Sequence, residues 1–384
     1  MGNRMVFIKA LSVFLGTVIG VGIFGLPFIA GKAGFSIVFL YFLVITPAAI
    51  LINFLYAEVA LGTEKNYRFP GYVGEYLGSS HKKLSFFIII VGLIGALLAY
   101  LVIGGEFLSH LFGPYFGGNA DIYTLLFFAF GVFLVFRGIK SVSQIELFLL
   151  FLLLAILAAL FVKAAPFINF NYFTTYNFKN LALPYGVVLF SLWGSALIPE
   201  IEEMFIEKKL SVGEVRKGVR SVISKGLIIT AAVYLLFIFV ILGVSGPGTS
   251  KEAISGIYQV LGGNVIKLGF VFGIICCFTS FITLALTLKK VFIYDLGLLK
   301  GPSFFLACFL PLILFLMGLK NFIDIISFTG ALCLGAEAIM TVFLYRAFLR
   351  KKLLKKINPA LYFLVFIFSL GIIYELFYFF GGLG

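Results

Sequence analysis

Eleven times along this chain a run of apolar residues continues for about the 20 positions that a helix needs to cross a bilayer. The runs occupy residues 7–31, 35–61, 85–111, 121–139, 142–165, 183–204, 221–243, 264–289, 303–319, 321–345 and 357–380. Within hydrocarbon every backbone N–H and C=O must be satisfied inside the chain, which leaves only helices or closed barrels. Runs of ~20 residues, rather than alternating segments of ~10, select helices. The composition agrees, with 62% hydrophobic residues against roughly 45–50% in soluble domains. The fold class expected is all-α integral membrane, with about 11 transmembrane helices and no soluble domain.

A net charge of +13 could signal nucleic acid, but the basic residues form no single patch. With the N-terminus in the cytoplasm, only Lys32, Lys163, Lys179, Lys251, Lys267 and Lys320 of the 29 Lys and Arg fall outside. That asymmetry is the positive-inside rule, and one span more or fewer would scramble it. It predicts a multi-pass cell-membrane protein, N-terminus in and C-terminus out, with lipid around it and no nucleic-acid partner. Oligomeric state is not legible. Cys276, Cys277, Cys308 and Cys333 all lie within apolar runs at no metal-ligand spacing, so neither a disulfide framework nor a zinc site is suggested. The first run is too long for a cleavable signal peptide.

Two of the spans are poor helices. Gly16–Pro27 reads G-T-V-I-G-V-G-I-F-G-L-P, and each Gly costs about 1 kcal/mol against Ala in a helix interior. The sixth span, L-P-Y-G-V-V-L-F-S-L-W-G-S-A-L-I-P-E, carries Trp193-Gly194-Ser195 ahead of Pro199 and Glu200. Pro199 is expected to leave the Ser195 carbonyl without its helical partner. Two interrupted spans, five apart and opposite in direction, mark an inverted repeat, residues 1–165 (helices 1–5) and 183–346 (helices 6–10), with 357–380 as an accessory helix 11. Paired broken helices of this kind point to a transporter's binding site.

Residues 20–25, G-V-G-I-F-G, match a dinucleotide fingerprint. The strand before it and the acidic residue ~20 positions later are both missing, so that reading fails. Close helix packing through Gly16 and Gly20 is the remaining rival to a site. If the first span opens near Gly20–Gly22, its second half offers free N–H groups and a positive dipole end, which suit a carboxylate. The sixth span would offer the carbonyls of Phe190, Ser191 and Ser195 to an ammonium group or a cation. A zwitterionic amino acid fits both.

These two stretches, with Leu98-Ala99-Tyr100-Leu101 before Gly104-Gly105 and the loop R-F-P-G-Y-V-G-E-Y-L-G at 68–78, resemble amino acid permeases of the aromatic (Trp/Tyr) and amino acid/auxin types. Those permeases belong to the amino acid–polyamine–organocation superfamily, and the resemblance covers spans 1–10. It implies the leucine-transporter-type 5+5 inverted repeat with helices 1 and 6 broken. It also implies symport of a neutral amino acid, aromatic or otherwise hydrophobic, and no resident cofactor. Gly20 and Gly22 would hold the substrate carboxylate, with Tyr100 closing over it. Phe190 and Trp193 would shape the side-chain pocket, and Val18, Val21, Ser191, Gly194 and Ser195 complete the implied set. Trp193 is bulkier than the residue expected there in many relatives.

Two coupling ions remain open. Cys276, Thr279 and Ser280 share one helix face and could join the carbonyls of Gly16 and Ile19 around Na+, as in sodium-coupled members of the fold. The rival is hydroxyls bonding back to their own helix, with a proton as driving ion. Ionisable residues inside spans are functional candidates. Glu200, just after the second break, is first, for gating or proton coupling, followed by Glu58 and Glu337. Glu375 lies outside the repeat, while Glu106 and Lys163 are expected to snorkel. A polytopic membrane enzyme or a channel is the alternative class. No H-E-x-x-H, D-D-x-x-D, T-V-G-Y-G or spaced-Arg run supports it.

Overall fold

The computed structural model describes residues 2–65, 67–137, 142–208, 210–257, 260 and 262–380. Among these, every regular element is helical. In chain order they are α1 (Gly2–Val18), α2 (Gly22–Ala33), α3 (Phe35–Leu61), α4 (Phe69–Leu77), α5 (Ser79–Phe116), α6 (Ala120–Arg137), α7 (Val142–Ala164), α8 (Pro184–Ser191), α9 (Ile198–Ile206), α10 (Val212–Ser245), α11 (Gly263–Tyr294), α12 (Lys300–Leu316), α13 (Phe322–Phe328), α14 (Gly335–Phe348) and α15 (Tyr362–Phe380). Eight helices among the described residues are long and apolar enough to cross a membrane, and the pair Arg4–Val18 and Gly22–Ala33 makes a ninth span, bent by 50°. The shorter apolar helices Leu154–Phe167 and Lys300–Leu316 stand where the fifth and ninth spans are expected.

Several helices outrun their apolar runs. The seventh span, expected over 221–243, begins at Val212 because Ser211 and Glu214 form a capping box that satisfies the first turn's N–H groups. Residues 69–77, read from sequence as loop, form α4, with Pro70 in its first turn, where Pro is tolerated.

Helical hydrogen bonding lapses where both breaks are expected, the first with a 50° bend and the second within the single span Pro184–Ile206, and each settles its freed backbone in its own way. After α1 the Gly20 N–H turns back to the Val18 carbonyl at 2.8 Å. That carbonyl also accepts the Tyr234 hydroxyl of α10 at 2.6 Å, so α10 supplies a partner the helix no longer provides. α8 ends at Ser191, and a 3-10 turn over Ser195–Leu197 leads into α9. Pro199 sits in the first turn of α9 rather than inside a helix. The Ser195 carbonyl therefore keeps a donor, the Ile198 N–H, which corrects the expectation that Pro199 would free it. The irregular residues are Leu192–Gly194, one turn earlier. A third irregularity, a π-turn over Thr329–Leu334, joins α13 to α14; such insertions are frequent at functional sites.

The breaks interlock. A Cβ on Gly22 would lie 3.0 Å from the Ser191 Cα, and one on Gly194 would lie 2.6 Å from the Phe14 ring and 3.1 Å from a Val18 methyl. Gly is required at both positions by this approach of one broken span to the other.

Candidate functional site

A cavity of about 90 Å³ opens where the breaks meet. Of the residues expected to bind substrate, Val18, Gly22, Tyr100, Phe190, Ser191, Trp193 and Ser195 line it. Gly20 stands behind Tyr100, whose Cζ would lie 3.0 Å from a Cβ there. Val21 is fully buried, and Gly194 is turned onto Phe14. Thr17 and Thr329 add hydroxyls to the wall, Tyr56 a phenol and Glu337 a carboxylate.

Glu337 is the unusual member. It is 3% exposed, and it accepts the Trp193 indole N–H at 3.0 Å and the Ser195 hydroxyl at 2.5 Å. Trp193 belongs to the irregular stretch of the sixth span and Ser195 opens the 3-10 turn after it, so this one carboxylate ties the second break to α14. Both donors are neutral, and among the described residues no cation pairs with it.

Beyond the cavity the two ends close differently; if the N-terminus is cytoplasmic, as expected from the basic residues, the end where α1 begins is the inner one. At the outer end, Phe24 of α2 meets Phe107 edge-to-face with centroids 4.8 Å apart, and Phe237 and Phe272 each at 6.2 Å. At the inner end, where α1 begins, Arg68 forms part of the cavity wall. Its guanidinium lies 3.2 Å from Glu203 and 3.7 Å from Glu200, while the Lys290 ammonium reaches Glu200 at 2.7 Å. Burial works against the Arg68 charge, but Glu203 and Glu200 outweigh it and raise its pKa. Asp295, just past α11, presses its carboxylate against Gly71 of α4, 2.7 Å from where a Cβ would sit. Burial pushes its pKa up to about 6 against the pull of Lys82 and Arg68.

The candidate coupling residues are therefore dispersed. Glu200 belongs to the inner ion pairs, not the cavity. Glu58 lies away from it too, with Arg216 and Arg220 each 3.1 Å from one carboxylate oxygen. Gly16, Ile19, Cys276, Thr279 and Ser280 are not on its wall. Thr279 donates back to Ile275 and Cys276 carbonyls at 3.2 and 3.1 Å, while the buried Ser280 hydroxyl stands beside the phenol of Tyr100.

Residues 3–378 match the model of the tryptophan/tyrosine permease family. The chain belongs to that family. The permease is thus a multi-pass membrane transporter, and its solved likenesses are transporters too. MhsT in complex with L-phenylalanine superposes with a TM-score of 0.65 at 16% identity, covering 97% of both chains. MHP1, a nucleobase-cation-symport-1 family transporter in a closed conformation with bromovinylhydantoin bound, gives 0.68 at 13% identity, over 96% of this permease and 90% of that chain. The Eremococcus coleocola manganese transporter, in complex with an aromatic bis-isothiourea substituted compound, gives 0.71 at 12% identity, over 98% and 88%. The likeness is one of fold, the leucine-transporter type. Among curated proteins none matches the sequence.

Thr17, Tyr56, Arg68 and Thr329 escaped the sequence reading as site residues. Thr17 had a signal, since it directly precedes the first break. Arg68 had a weaker one, in the loop already compared with the permeases. The other two offered none, being single polar residues in long apolar runs.

Proposed function

We propose that this permease is a secondary active transporter that carries a neutral amino acid, aromatic or otherwise hydrophobic, across the cell membrane by alternating access. The observation that carries the reading is the meeting of the two breaks at Gly22 and Ser191, with the cavity walled by both. The start of α2 offers a positive dipole end to a carboxylate, and the N–H groups of Ile23 and Phe24, now turned back to the Gly20 and Val21 carbonyls at 3.3 and 3.1 Å, would have to be released to it. The end of α8 offers carbonyls to an ammonium group, that of Phe190 while also accepting the Trp193 N–H at 3.4 Å. Phe190, Trp193, Leu93 and Ile89 give the rest of the wall an apolar, aromatic character. Ligand pockets usually measure roughly 300–1,000 Å³, so about 90 Å³ is a contracted state, and an aromatic cargo requires Trp193 or an end closure to move.

The driving ion in this reading is a proton. An ionised carboxylate without a cation is costly at membrane depth. Glu337 is such a group, and Tyr56 and Cys333 are the titratable side chains beside it. Protonating it would reorder the bonds from Trp193 and Ser195, and so the second break itself. A sodium-driven cycle would draw on the hydroxyl oxygen of Thr279, whose proton is held by its own helix, and that site lies off the cavity wall. The N-terminus is read as cytoplasmic, from the basic residues at that end.

Reconstitution tests both parts. Liposomes containing the permease should accumulate a neutral amino acid under an inward proton gradient, without sodium. Glu337→Gln keeps an acceptor for Trp193, and should lose gradient-driven uptake at least tenfold while retaining exchange of internal for external amino acid. Uptake that follows sodium alone, or undiminished proton-driven uptake by Glu337→Gln, would refute the coupling. Absence of any amino acid exchange by the wild type would refute the cargo.

A further inference from the structure

Away from the cavity, two hollows adjoin on the flank where α3 packs beside α10. The inner one, about 370 Å³, is walled by Glu58, Arg220, Tyr345, Lys355, Lys356 and Asn358 over an apolar floor. The second, about 540 Å³, is lined almost wholly by apolar side chains from Phe42 of α3 to Leu235 of α10. Leu51 and Phe54 belong to both, so the two form one continuous groove, polar at the inner end.

The charge at that end is unbalanced. Arg216 and Arg220 share one oxygen of Glu58 at 3.1 Å each, and both remain about half exposed. Lys355 and Lys356 are exposed and form no ion pair among the described residues. Four cations therefore face one carboxylate. The backbone turns just before them: Leu354 has φ +50, a left-handed conformation that a non-glycine residue rarely adopts. Its neighbour Lys355 is then fixed by an N–H bond to the Leu349 carbonyl at 3.1 Å. Arg220 stands at the boundary, 5.3 Å over the Phe54 ring.

The dimensions also fit one occupant. From Phe54 to Phe42 along α3 is roughly 18 Å at ~1.5 Å per residue. One leaflet's share of a ~30 Å hydrocarbon core is about 15 Å. We infer that this groove binds an anionic glycerophospholipid, its phosphate between Arg220, Lys355 and Lys356 and one acyl chain along the Phe42–Leu235 channel. Basic pockets between spans at the inner face are where anionic headgroups are held. The inference is independent of the cargo, because none of these residues lines the central cavity.

The test is native mass spectrometry and thermal melting of the full-length permease in detergent. Phosphatidylglycerol, phosphatidylcholine and inorganic phosphate are titrated separately. Phosphatidylglycerol should bind at least about tenfold tighter than phosphatidylcholine. The double change Lys355→Gln and Lys356→Gln should erase that preference. Ala232→Trp, on the exposed face beside the channel, should weaken both lipids without lowering the lipid-free melting point. Equal affinity for the two lipids, a preference unchanged in the double variant, or full competition by inorganic phosphate would overturn the inference. So would a second copy of the chain cross-linking across the groove.

Discussion

The outer and inner closures of the cavity do the same job with different physics. Outside, phenylalanine rings from α5, α10 and α11 pack on Phe24 of α2. Inside, Arg68, Glu200, Glu203 and Lys290 form a chain of ion pairs that is buried at Arg68 and up to 40% exposed at Glu203. In lipid there is no hydrophobic force between helices, so the outer closure rests on packing alone and should be indifferent to salt and pH. The inner one borders water and should respond to both. Two closures that fail under different conditions can be opened one at a time, as the proposed alternating access requires.

The largest break in this comparison should come from Arg68→Ala. Removing Arg68, itself buried, leaves Glu200 and Glu203 crowded with only Lys290, a cost softened by their 24% and 40% exposure. A cysteine placed at Thr287, on the cavity wall, should then react with a reagent supplied from the inner side at least tenfold faster. Unchanged labelling would mean the ion pairs do not close that end.

Phe24→Ala should come next, costing roughly 2–3 kcal/mol of packing. It should lower the melting temperature equally at 0.1 and 1 M salt. A salt-dependent loss would erase the distinction between the two ends.

The smallest effect is one of pH. Asp295 titrates near 6 rather than at its usual 3.8 because burial disfavours its charge. The folded state therefore holds this proton more tightly than the unfolded chain does. Its contribution is full below 3.8 and is lost as pH rises through about 6. Wild type should melt higher at pH 5 than at pH 7.5, and Asp295→Asn should flatten that difference. A difference of the opposite sign, or one unchanged in the variant, would place the pH dependence elsewhere.

Much of the site was legible because glycine has no use in a spanning helix unless something approaches it. Gly22 and Gly194 are spent on contact between the two broken spans, and the sequence marks both. Pro199 was misread as the breaker, because a proline opening a helix and one interrupting it look alike until the helix start is known. Glu337 was visible as an intramembrane acid but not as a cavity residue. Its facing depends on the π-turn over Thr329–Leu334, which shifts the register of α14 and has no compositional signature. The inner ion pairs join residues 135 positions apart, a pairing that periodicity within any one helix does not reveal.

That the two breaks grip the two ends of a zwitterion is tested most directly by equilibrium binding to the purified permease. The ligands to compare are a transported amino acid, its decarboxylated amine and its deaminated acid. The amine has nothing for the N–H groups of α2, and the acid has nothing for the carbonyls of α8. Each should bind at least 100-fold more weakly than the amino acid, about 2.7 kcal/mol. If either analogue binds within tenfold of the parent, the two breaks do not share the substrate in this way.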